Sequence, residues 1–232
     1  MFYLFDPRYL MFMLPAFVIM LVVQFYVSSS YKKWSKVQAR SRMTGAQAAQ
    51  RLIERGGLYD VEIEGVRGKM TDHYDPRKKV LRLSEGVYSG SSVASMAIAA
   101  HELGHAMQDR DDYFPLRLRA ALVPAVSIGS YLGWILIMLG LFLQVTGLAW
   151  LGLIVFAGGA LFALATLPVE LNASARAKKM LVDSGLIVGQ DEMGGVNRVL
   201  NAAALTYVAA LLTAVMQLLY WATLVLGMGR RR

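Results

Sequence analysis

Four long apolar runs decide what this chain can fold into. They cover residues 9–27, 122–143, 148–167 and 205–226, and each is about as long as a helix needs to cross a bilayer. Of the 232 residues, 56% are hydrophobic, which is high for a domain that lives in water. The charge lies between the runs. Residues 28–121 hold 16 of the 24 Lys and Arg, together with 11 acids. A net charge of +8 can signal nucleic acid, but interleaved acids and flanking spans point to a membrane surface instead. Nucleic-acid binding is therefore not expected.

The first run keeps Pro15, which a membrane helix tolerates. It is long for a cleaved leader, and its basic cluster (Lys32, Lys33, Lys36, Arg40, Arg42) follows it instead of preceding it. It reads as a retained anchor whose C-terminal end faces the cytoplasm. The second and third runs form a hairpin whose turn, residues 144–147, has no Lys or Arg. The triple Arg at 230–232 sits poorly with a fourth crossing under the positive-inside rule. A re-entrant or otherwise packed last run is the alternative.

Within 28–121 the sequence reads as a small α+β domain. Thr44 caps a helix that stops at Gly56-Gly57. Residues 61–64 alternate as a strand, and Gly65 punctuates it. Residues 72–76 read as a turn, with His73 in it. Residues 79–83 alternate again and are expected to form an open sheet edge. Val80, Leu81 and Arg82 would there hold an extended substrate as an added strand, with His73 within reach of it. Ser91 or Ser92 then caps a helix that ends near Asp109.

That helix carries Ala99-Ala100-His101-Glu102-Leu103-Gly104-His105-Ala106. Residues four apart on a helix lie nearly above one another, so His101 and His105 can reach one metal ion. Glu102 is one step round the helix, where it can take a proton from water on that metal. Cysteine is absent and histidine occurs three times, so a zinc site must use imidazole and carboxylate. Two spans separate the motif from Glu170 and return it to the same side of the membrane. Glu170 is thus the expected third ligand. Gly104, with no side chain, lets another element approach the metal helix. Arg176 and Tyr207 are candidates to stabilise a developing oxyanion.

The combination of Thr71-Asp72-His73-Tyr74-Asp75-Pro76, Val80-Leu81-Arg82-Leu83-Ser84, the motif itself, Pro168-Val169-Glu170, Asn172-Ala173-Ser174 and Leu200-Asn201-Ala202-Ala203-Ala204-Leu205-Thr206-Tyr207-Val208 resembles the YugP-like membrane zinc metallopeptidases. It is more distantly similar to the HtpX and CAAX prenyl endopeptidase type. The resemblance implies a gluzincin with one Zn2+ per chain on His101, His105 and Glu170, and with Glu102 as general base. The distant relatives carry an Asp four residues after the glutamate ligand to support a zinc histidine. Here that position is Ser174, a weaker partner, and Asn172 is expected to share its task.

The expected architecture is a mainly α membrane protein of four transmembrane helices, with a small α+β zincin-like metallopeptidase domain at the membrane surface. Its parts are an anchor (1–27), the metallopeptidase domain (28–121), a hairpin (122–168), a ligand-bearing helix and connector (169–204), and a last span with a basic tail (205–232). The expected function is a membrane-anchored endopeptidase in a bacterial inner or plasma membrane, with its site on the cytoplasmic side. Its partners are a peptide or membrane-protein substrate and the bilayer, including anionic lipids. The sequence assigns neither a membrane adaptor nor an oligomeric state. A site-2-type intramembrane protease is one rival, but the motif helix runs into Gln108, Asp109, Arg110, Asp111 and Asp112, too polar to span. A non-catalytic metal-binding scaffold is the other, and it gives Glu102 no task.

Overall fold

The computed structural model describes residues 6–229, so the triple Arg at 230–232 lies outside the described residues. The elements in chain order are α1 (Pro7–Trp34), α2 (Gly45–Gly56), β1 (Glu62–Val66), β2 (His73–Asp75), β3 (Val80–Ser84), α3 (Glu85–Tyr88), α4 (Val93–Arg110), α5 (Phe114–Phe142), α6 (Thr146–Asp183) and α7 (Gln190–Gly229). The protein is mainly helical with one small mixed sheet. Among the described residues, α1, α5, α6 and α7 are long and apolar enough to cross a membrane. The chain divides into two compact units.

The first unit takes residues 6–23, 117–168 and 206–229. Its buried cluster joins Ile137 and Leu141 of α5, Ala149 and Leu153 of α6, and Tyr220, Trp221, Leu224 and Val225 of α7. The α5–α6 crossing is close. A Cβ at Gly133 would come within 2.6 Å of the Phe156 backbone nitrogen. Glycine there lets two apolar helices touch backbone to backbone, where lipid supplies no hydrophobic drive to hold them. Large side chains such as Phe17, Val22, Ile128 and Leu161 face outward, as a lipid-facing surface requires.

The second unit takes residues 24–116 and 169–205. Local chemistry sets its helix ends. Thr44 accepts from the Gln47 backbone, and the Gln47 side chain accepts from the Thr44 backbone, a reciprocal cap. Gly57 closes α2 in the left-handed region at φ 65°. Ser92 caps α4 through the Ser95 amide. Ala94, Ala97, Ala99 and Ala100 follow; they favour helix and are fully buried, so neighbours pack close to α4. Around it gather Leu52 and Ile53 of α2, Leu81 and Leu83 of β3, Leu181 of α6 and Leu200 of α7. The buried Glu192 carboxylate accepts from the backbone amides of Arg40 and Val188, which ties the segment after α1 to the start of α7.

Two expectations from the sequence need correction. The strand near residues 79–83 is not a sheet edge. The order is β1-β3-β2, with β1 parallel and β2 antiparallel to β3. Both sides of β3 are therefore paired, and no substrate strand can be added there. Val80 and Leu81 are buried and Arg82 pairs with Glu64 and Asp75, so these three do not form the expected substrate edge. Residues 73–75, read as part of a turn, form β2. The turn comes later, where the Asp75 carboxylate accepts from the amides of Arg77 and Lys78 and Lys79 takes φ 56°. Tyr74 holds β2 in register, since it stands opposite Leu81 and its hydroxyl donates to Asp109.

Leu81 is fully buried at the centre of the sheet. Leu81→Ala should cost about 2–5 kcal/mol, read as a fall in Tm of the purified protein by circular dichroism. An unchanged Tm would contradict the central placement of β3.

Candidate metal centre

The site is built from two helices of the second unit. α4 supplies His101, Glu102, His105 and Gln108, and α6 supplies Glu170, Asn172, Ser174 and Arg176. Gly104 sets how near they come. A Cβ there would lie 2.4 Å from the Ala173 carbonyl oxygen and 3.0 Å from its carbon. Backbone cannot yield as a flexible side chain can, so only glycine permits this approach.

On α4 the two imidazoles stand edge to face, with centroids 5.0 Å apart. His101 Nε2 lies 3.3 Å and His105 Nε2 lies 3.5 Å from the same oxygen, Glu170 Oε2. The three donor atoms fall within 4.8 Å of one another. Ligands bound to zinc at 2.0–2.1 Å in a tetrahedron are about 3.3–3.4 Å apart. The two imidazole–carboxylate separations are thus those of a tetrahedral edge. Glu170 is 2% exposed, whereas each histidine is 13% exposed. A carboxylate so buried costs several kcal/mol unless a cation pairs with it. Donor set, spacing and burial all fit zinc, and the residual exposure lies on the histidine side.

Each histidine has a second partner at Nδ1. Ser174 Oγ stands 3.2 Å from His101 Nδ1. Gln108 Oε1 stands 3.0 Å from His105 Nδ1. Gln108 is fully buried, and its Nε2 donates to the Val169 carbonyl and to Asn172 Oδ1. Asn172 does not touch a histidine; it also accepts from Arg176 Nε at 2.8 Å. Sequence reasoning missed Gln108, although its place three residues after His105 on one helix face was a usable signal.

Burial pushes the Glu102 carboxyl above its ordinary range, against the pull of His101 and His105, and Glu170 and Asp72 add to the rise. Burial draws His105 down, but its hydrogen bond to Glu170 and the charges of Glu102 and Glu170 outweigh this and leave it raised.

The remaining sequence candidates are His73, Arg176 and Tyr207. His73 is exposed on β2, where its Nδ1 meets the Thr71 carbonyl at 2.8 Å, and it stands outside the ligand cluster. The Arg176 guanidinium is taken up by Asn172 and Asp111 and lies over the Tyr113 ring. Tyr207 lies on α7, within the first unit.

Residues 9–226 match the model of a family described as "Putative neutral zinc metallopeptidase". A protein of Bacillus subtilis (strain 168), named "Putative membrane protease YugP", is 48% identical over 196 residues, covering 84% of this chain and 87% of its own. No solved structure matches.

Gly104→Ala should force α4 and α6 apart, costing about 1–3 kcal/mol as overpacking does. Because the same contact sets the ligand spacing, zinc affinity measured against a chelator should fall with the Tm. A variant with unchanged affinity would show that the approach does not set the site.

Proposed function

The chain belongs to the neutral zinc metallopeptidase family, and on that premise we propose that it is a membrane-anchored endopeptidase of gluzincin type. The observation that carries this reading is the convergence of His101 Nε2 and His105 Nε2 on one oxygen of the buried Glu170, at tetrahedral-edge distances. Zinc held there would acidify a water molecule and polarise the scissile carbonyl.

The chain's own residues do the rest. Glu102 accepts a proton from the attacking water and returns it to the leaving amine as the carbon–nitrogen bond breaks. Ser174 and Gln108 hold the two imidazoles in place, and Glu170 supplies the compensating negative charge. Since β3 is paired on both sides, an extended substrate that joins the sheet does so along β1 or β2.

The substrates are peptides or segments of membrane proteins near the surface. Lys32 and Lys33 in the last turn of α1, with Lys36 and Arg40 after it, favour a cytoplasmic-side domain at a bacterial inner membrane rich in anionic lipid. The site-2 reading is disfavoured because α4, among the described helices, is not one of those apolar enough to span.

Glu102→Gln should keep one zinc per chain, measured by metal analysis. It should lose about 10²–10⁴-fold in hydrolysis of a fluorogenic peptide or casein. Full hydrolysis by this variant would overturn the assignment of Glu102 as base.

A further inference from the structure

We infer that Gln108 is a positioning residue. It holds the His105 imidazole in the tautomer that leaves Nε2 free for the ion, and its own polarity is set from Val169 and Arg176. The inference rests on the zinc reading above and goes beyond it, to a residue outside the His-Glu-x-x-His pattern.

The tautomer is fixed by which atoms can only give and which can only take a hydrogen. A guanidinium only donates. Arg176 Nε donates at 2.8 Å to Asn172, so the atom Asn172 presents there is its oxygen. That same oxygen stands 3.0 Å from one end of the Gln108 amide, and the Val169 carbonyl, which only accepts, stands 2.7 Å from the same end. Two acceptors on one atom make it the NH2 end. The other end, 3.0 Å from His105 Nδ1, is therefore the amide oxygen, which only accepts. Nδ1 must carry the hydrogen. A neutral imidazole with hydrogen on Nδ1 has its lone pair on Nε2, the atom that faces Glu170.

Gln108 is fully buried, so water cannot replace it as the acceptor. The Asp111 pair and the Tyr113 ring hold Arg176, which keeps the far end of the relay in place. His101 has a looser arrangement, because the Ser174 hydroxyl can rotate and serve either tautomer. The relay gives the site one imidazole of fixed orientation.

The test uses the full chain in detergent. Zinc affinity is measured by chelator competition, and 15N-histidine spectra are recorded on the zinc-loaded protein. Wild type should show His105 with hydrogen on Nδ1 and the metal on Nε2. Gln108→Met, of similar volume, should bind zinc about 10–100-fold more weakly. Gln108→Glu should recover most of that loss. Its protonated carboxyl can donate to Val169 and accept from His105, and the His105 tautomer read in the 15N spectrum is the readout that a purely structural role would not move. Normal affinity in Gln108→Met overturns the inference while the zinc reading stands. Should Gln108→Met fail to fold, the wild-type spectrum still decides, and metal on His105 Nδ1 would overturn the inference. A wild type that takes up no zinc overturns both.

Discussion

The buried carboxylate of Glu170 is the constraint on which the second unit depends. At 2% exposure it needs positive charge beside it, and two imidazole nitrogens at 3.3 and 3.5 Å define where that charge belongs. Everything near it follows from bringing α6 against α4. Gly104 removes the side chain that would hold Ala173 off. The short alanines of α4 bury that helix closely among its neighbours. The caps at Thr44 and Ser92 fix where the flanking helices begin.

Around the ligands the support is neutral on both sides, a hydroxyl on His101 and an amide on His105. A carboxylate in either place would add negative charge and strengthen the imidazole as a ligand. Here the polarity of a hydrogen-bond chain takes over part of that work on His105. Charge enters at a distance, through Arg176 and its pairing with Asp111.

Local features were readable from residues alone. Helical spacing put His101 and His105 on one face, Thr44 and Gly57 marked α2, and four apolar runs marked the long helices. Non-local features were not readable. Alternation in 79–83 says which side chains share a face, but not which strands lie beside them, so β3 looked like an edge and is central. The Asp72–Pro76 stretch carries turn residues, yet Tyr74 pairs across to Leu81 and pulls 73–75 into the sheet. Gln108 went unread because glutamine near a helix end is common, and only the packed α6 shows that it is buried.

The geometry of His101, His105 and Glu170 supports zinc on two imidazoles and one carboxylate, with a further position open. X-ray absorption at the zinc edge of the purified full chain tests it most directly. The spectrum should show two imidazole nitrogens at about 2.0–2.1 Å and oxygen ligands at about 2.0–2.2 Å, with the carboxylate contribution lost in Glu170→Ala. A third imidazole in the shell, or a spectrum unchanged by Glu170→Ala, would contradict it.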